Sequence, residues 1–189
     1  MECNKIICGD CLELFRAIPS DSIDMAFADP PFNLQKEYGE CSDDMSHSDY
    51  LEWCKKWIAE MVRVTKPTGS IFIHNIPKWL LYYAPVLNEC ATFKNWIAWN
   101  APSSSVTTPL TPYHYGFLWY TKSNPKFYKI RHPHIRDRKT GHLSRDYGGK
   151  KYLLHPFGPL VSDVWVLIRY YCVFTLLIEE VFVLNRAGV

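Results

Sequence analysis

The chain has 189 residues, 48% apolar, 15% aromatic and 21% charged, with a net charge of +2. That length and balance predict one domain-sized core and exclude a disordered chain. The net charge hides an asymmetry: residues 122–155 hold six Lys and four Arg against Asp137 and Asp146, a local +8, so the other residues sum to −6. In chain order, Lys5–Cys8 reads as a short apolar strand ending at Gly9-Asp10. Cys11–Ile18 reads as a helix, with Leu12, Phe15 and Ile18 at helical spacing and Pro19 as its stop. Ser22–Ala28 is the next strand, almost wholly apolar after Asp24, as for a strand buried on both faces. Asp29-Pro30-Pro31-Phe32 follows, then a polar stretch over 33–48 with Glu37, Glu40, Asp43 and Asp44. Ser48 is placed to cap a helix running to about Val64, with Leu51, Cys54, Ile58, Met61 and Val62 as one apolar stripe. Lys66-Pro67-Thr68-Gly69 predicts a turn, Ser70–His74 a third buried strand, and Pro77 the start of another helix. Phe93–Trp99 and Tyr113–Thr121 read as further strands around a Ser/Thr/Pro loop, Ala101–Pro112.

Strands alternating with helices predict an α/β fold: a mostly parallel sheet with helices on both faces. The expected boundaries are a core over 1–121, a basic irregular segment over 122–165 and an apolar, atypical tail over 166–189. Ligands of such sheets sit at the carboxyl ends of strands. Asp29 and its prolines stand at one such end, and Gly9-Asp10 at another.

The residues after Ala28 form a stiff hook. Proline fixes its own φ and keeps the preceding residue out of the helical region, so the chain leaves the strand extended. The hook offers a carboxylate, backbone carbonyls and one flat ring. Such a set suits a planar group bearing an NH2, whose hydrogens need acceptors and whose face needs a stacking partner. The same four residues also suit a plain strand-to-loop turn capped by Asp29.

Ten basic residues in one segment suit a polyanion, because cations that neutralise phosphates release counterions. They equally suit a solvated charged loop. Seven cysteines, an odd number, and a Met1-Glu2-Cys3-Asn4-Lys5 start without a leader pattern predict reduced thiols in a cytoplasmic protein. Cys3, Cys8, Cys11 and Cys41 match an iron–sulfur spacing, but Ile6 and Ile7 favour core thiols instead. His132, His134, His142 and His155 lack a zinc-type spacing and fit phosphate or solvent better.

The ordered set Ile6-Ile7-Cys8-Gly9-Asp10-Cys11, Asp24–Asn33 and Arg63–Ser70 resembles the S-adenosylmethionine-dependent amino-methyltransferases of DNA. The likeness is to the permuted group that places its Asp-Pro-Pro-aromatic motif near the N-terminus, and it covers roughly residues 4–165. It implies a Rossmann-like core, restriction–modification biology, S-adenosylmethionine as methyl donor and double-stranded DNA as partner. By that resemblance, Asp29 and the Pro30 carbonyl hold the exocyclic amine of a flipped base. Pro31 stiffens the hook, and Phe32, where the family more often has tyrosine, stacks on the base. Asp10 and Asp29 lie by the cofactor. Lys126, Lys129, Arg131, Arg136, Arg138, Lys139, Arg145, Lys150 and Lys151 belong to the segment that reads DNA. An Asp at the first hook position leans toward adenine over cytosine.

Besides Phe32, the chain departs from the family pattern at the cofactor turn. The family's glycine-rich cofactor turn, Asp-Pro-Phe-x-Gly-x-Gly, has no counterpart, because no Gly-x-Gly occurs among the nine glycines. Asp163-Val164-Trp165 resembles the approach to it, after which residues 166–189 change character. The expectation is a truncation or frame change near Trp165, weak cofactor binding by the isolated chain and a possible complementing polypeptide. In the tail, Tyr170–Ile178 is the longest clean apolar run, too short to cross a bilayer, so no membrane partner is expected. The alternatives to an active enzyme are a non-catalytic DNA-binding remnant or one part of a split methyltransferase. An RNA base methyltransferase fits less well, because its glycine turn precedes the hook.

Overall fold

A computed structural model of the chain describes residues 6–35, 37–38, 41–100, 110, 112–131, 146–147, 150–151, 159–165 and 181–184. The chain divides into two compact units, residues 1–126 with 163–189, and residues 127–162. In the larger unit the elements are α1 (Cys11–Arg16), β1 (Ile23–Ala28), the pair β2 (Glu37–Tyr38) and β3 (Cys41–Ser42), α2 (His47–Val64), β4 (Thr65–Asn75), α3 (Pro77–Asn88), β5 (Thr92–Asn100) and β6 (His114–Thr121). The smaller unit holds the hairpin of β7 (Asp146–Tyr147) and β8 (Lys150–Lys151), and an isolated bridge between Arg131 and Leu160. The larger unit then resumes with β9 (Val164–Trp165) and β10 (Val181–Leu184).

One sheet organises the larger unit, in the order β10-β1-β4-β6-β5-β9. The pairings β10/β1, β1/β4 and β5/β9 are parallel, while β6 runs antiparallel to both its neighbours. The expected mostly parallel α/β sheet is present. Ala26, Ala28, Ile71, Ile73, Leu118 and Tyr120 face a single core shared with Phe15 of α1, Trp57, Ile58 and Met61 of α2, and Leu80, Tyr83 and Leu87 of α3. Each large side chain so buried contributes roughly 1.5–3 kcal/mol. Alternate residues of the same strands turn to the other face. There Phe27 meets Phe117 at 6.0 Å, and Phe72 stacks on Trp119 at 5.7 Å.

Three sequence expectations are corrected. Residues 6–8 form no strand; Ile6 and Ile7 are exposed, and both edges of β1 are taken, by β4 and by β10. The cap of α2 is Ser46 rather than Ser48, because it is the Ser46 hydroxyl that accepts the Asp49 N–H, at 3.2 Å. The expected turn at Lys66–Gly69 lies within β4 as an irregularity, where pairing jumps from Ile23–Thr65 to Met25–Ser70. Gly69 is needed there: a Cβ would lie 2.8 Å from the Asp24 carbonyl. The Ala101–Pro112 loop falls largely outside the described residues, as does the apolar run Tyr170–Ile178. Among the described residues no helix is long and apolar enough to cross a membrane.

Candidate active site

The hook is placed by strand register. Parallel pairing sets Ala28 opposite Ile73, so the next residues, Asp29 and His74, emerge side by side at the carboxyl ends of β1 and β4. Their side chains meet: His74 Nδ1 lies 2.8 Å from Asp29 Oδ1. His74 is buried, while half of the Asp29 side chain is open to solvent. The second carboxylate oxygen has no partner among the described residues.

The carbonyls that follow are shared out unequally. Tyr50 donates its hydroxyl to the Pro31 carbonyl, and the Trp79 indole N–H donates to that of Phe32. The Pro30 carbonyl between Asp29 and these two has no hydrogen-bond partner among the described residues. Beyond the hook, Asp43 is buried and both its oxygens are used, accepting the N–H groups of Asn33 at 2.9 Å and Leu34 at 3.1 Å. Asn33 and Gln35 have φ of 50° and 59°, and the Asn33 amide donates to the Met45 carbonyl at 2.8 Å. Asn tolerates this left-handed backbone better than most residues. The loop is therefore tied down immediately after the prolines.

Rings crowd the carboxylate. Half-buried Phe32 lies 5.6 Å from His74 and 5.7 Å from Tyr115. His74 stacks on Phe117 at 4.7 Å and lies 5.3 Å from Trp99. Behind them a buried polar set supports Tyr50, whose hydroxyl sits 2.7 Å from that of Tyr83. Tyr83 also accepts from Asn75 at 3.1 Å and from the Cys54 thiol at 3.6 Å. Burial pushes both tyrosines well above the usual phenol range and the Cys54 thiol up to about 12, so all three remain protonated donors. An acid at a strand end, a carbonyl without a partner on the buried Pro30 and a half-buried ring are the groups that could accept and stack a planar amine.

Comparison with known proteins settles the relationship. The family model described as DNA methylase matches residues 23–175. The chain belongs to the DNA methylase family. Among its relatives is the type II methyltransferase M.BamHI of Bacillus amyloliquefaciens, 45% identical over 165 residues, which are 85% of this chain and 39% of the relative. The DNA adenine methyltransferase YhdJ of Escherichia coli K12 is 32% identical over 118 residues, 62% of this chain and 39% of that protein. This family member thus spans about two-fifths of the length of M.BamHI and YhdJ. Among solved structures, PvuII DNA methyltransferase, titled cytosine-N4-specific, shares the fold at a TM-score of 0.50 and 19% identity, covering 66% of this chain and 51% of that one.

Other predicted residues of this DNA methylase family member fall in different places. Asp10 is exposed and caps α1, accepting the Leu12 N–H at 2.7 Å and the Glu13 N–H at 3.4 Å through one oxygen. Its other oxygen has no partner among the described residues. Lys126 and Lys129 are exposed and Arg131 is half-buried. Lys150 and Lys151 lie in β8, while Arg136, Arg138, Lys139 and Arg145 are outside the described residues, as are His132, His134, His142 and His155. Lys122, counted in the basic segment, is paired with Asp21 at 2.6 Å. Cys11 and Cys54 are buried but Cys8 and Cys90 are exposed, and no metal-holding cluster occurs among the described residues.

Sequence reasoning missed His74, Tyr115 and Trp99 around the acid, and Tyr50 and Trp79 behind the hook. One signal was available for His74: it closes the apolar run Ser70–His74 at the carboxyl end of a strand, where the rule on carboxyl ends applies.

Proposed function

We propose that this chain forms the base-amine part of a DNA methyltransferase site, moving a methyl group from S-adenosylmethionine to the exocyclic amine of a flipped base, with adenine favoured. The observation that carries this reading is the half-exposed Asp29 carboxylate at the end of β1, followed by the buried Pro30, whose carbonyl has no partner among the described residues. Together they offer acceptors for the two hydrogens of an NH2. Amine lone pairs on a nucleobase are delocalised into the ring. Accepting both N–H groups favours a pyramidal nitrogen and stabilises the positive charge that develops on it. Phe32 gives the extruded base a ring to lie on, offsetting part of the few kcal/mol that unstacking costs.

S-adenosylmethionine, when bound, supplies an electrophilic methyl on a sulfonium sulfur. The open oxygen of Asp10 fits a hydroxyl or amine of such a ligand, and that of Asp29 fits its target. Asp29 would accept a hydrogen bond from the target amine and, with half its side chain open to solvent, would give the proton lost from that nitrogen a path outward. Adenine is favoured by the acid at the first hook position and by the likeness to YhdJ, itself named for adenine. The basic residues Lys126, Lys129, Arg131, Arg136, Arg138, Lys139, Arg145, Lys150 and Lys151 are assigned to DNA phosphates.

The test is methyl transfer to duplex DNA from labelled S-adenosylmethionine, followed by nucleoside analysis. N6-methyladenine is expected, with Asp29→Ala abolishing it while salt-dependent DNA binding survives. N4-methylcytosine would reverse the choice of base. DNA binding without transfer, even when the relatives' remaining portion is added as a second polypeptide, would leave a non-catalytic DNA-binding protein.

A further inference from the structure

We infer that His74 is a positioning residue for this reaction: its Nδ1–H grips one oxygen of Asp29, so that the carboxylate is fixed with the other oxygen toward the base amine. The inference rests on the reading of Asp29 given above. Three observations carry it. First, the contact is 2.8 Å and follows from register, since Ala28–Ile73 pairing places the two residues adjacent on parallel strands. It is therefore built into the sheet rather than made by a mobile side chain.

Second, the ring's proton has one satisfactory position. His74 Nε2 is buried and has no hydrogen-bond partner among the described residues. A proton there would be an unsatisfied buried donor, whereas a lone pair there costs less. With the proton on Nδ1 it points at Asp29. Third, the imidazole cannot turn away. Phe117 stacks on it at 4.7 Å, and Phe32, Tyr115 and Trp99 surround it at 5.6, 5.4 and 5.3 Å.

A half-exposed Asp without such a partner samples several rotamers, and a carboxylate free to turn gives up much of its effect on an oriented amine. His74 removes that freedom while leaving the second oxygen available. The base-stacking ring belongs to the same arrangement, because Phe32 touches the face formed by His74 and Tyr115. One histidine thus sets both the acid and the shelf.

The test uses the full 189-residue chain with two variants. His74→Phe keeps a flat ring and removes the donor; His74→Asn restores an amide donor near the Nδ1 position. Solution NMR reads the three-bond couplings of the Asp29 β-protons and the imidazole nitrogens of His74. One fixed Asp29 rotamer and an Nδ1-protonated ring are expected in the natural sequence. Rotamer averaging is expected in His74→Phe, with the fixed rotamer regained in His74→Asn. In methyl transfer, His74→Phe should lower kcat by about 10- to 100-fold with KM for DNA within about twofold, and His74→Asn should recover most of the loss. An Asp29 side chain that averages in the natural sequence, or stays fixed in His74→Phe, would overturn the inference. Absence of methyl transfer with the NMR pattern intact would overturn the proposed function and leave only the His74 grip on the Asp29 carboxylate supported.

Discussion

The carbonyls of the hook are engaged unequally. Three successive residues, Pro30, Pro31 and Phe32, each carry a carbonyl, and aromatic side chains occupy the latter two. Of the three, only the carbonyl of the buried Pro30, next to the acid, has no partner among the described residues. Tyr50 is central here because its hydroxyl serves both Pro31 and Tyr83. Tyr50→Phe deletes one oxygen, leaving the Pro31 carbonyl without its donor and the Tyr83 hydroxyl with Asn75 and Cys54 but without its Tyr50 partner. It should cost about 1–3 kcal/mol of stability. Urea denaturation with an unchanged m-value and a lowered midpoint would register it. None of this was readable beforehand: Tyr50 and Pro31 are 19 positions apart, and a hydroxyl's distant partner is a fact of packing. Asp29 itself was readable, since an apolar strand halted by an acid and two prolines limits the chain to an extended exit.

At the scale of elements, β4 does two jobs. Its irregular start over Lys66–Gly69 lets the chain pass from α2 into the sheet without a separate loop. Its far end delivers His74. The passage depends on Gly69, where a Cβ would meet the Thr65 methyl at 2.7 Å as well as the Asp24 carbonyl. Gly69→Ala must push backbone apart and should destabilise by about 1–3 kcal/mol, seen as a lower melting temperature. The sequence showed these residues as a turn because Pro and Gly punctuate it. What it lacked was the pairing with Ile23 and Met25 on either side. Helices α1, α2 and α3 and strands β1, β5 and β6 were legible to within a few residues, because each carries its own periodicity or stop signal. Lys5–Cys8 was misread for the opposite reason: Ile6 and Ile7 favour a strand locally, but strandhood requires a free edge, and β10 holds it.

For the whole molecule, the buried Tyr50–Tyr83–Cys54 set predicts how stability responds to alkali. Folding holds the Cys54 thiol at about 12 against its ordinary 9.0, and raises both phenols as well. Above about pH 9 the unfolded chain therefore binds fewer protons than the folded one, so the stabilisation is complete below that pH and is lost as pH rises toward 12. Melting temperatures should fall from about pH 9 upward, and Cys54→Ala should lessen the slope, with the two tyrosines supplying the remainder. A further consequence comes from β10. It pairs Met25 with Val181 and Ala28 with Leu184, so the strand bearing Asp29 takes a neighbour from far along the chain. On the ribosome, the corner bearing Asp29 is synthesised early yet waits for residue 184 before β1 gains its second neighbour. Until then, one flank of β1 lies open to chaperones and to other nascent chains.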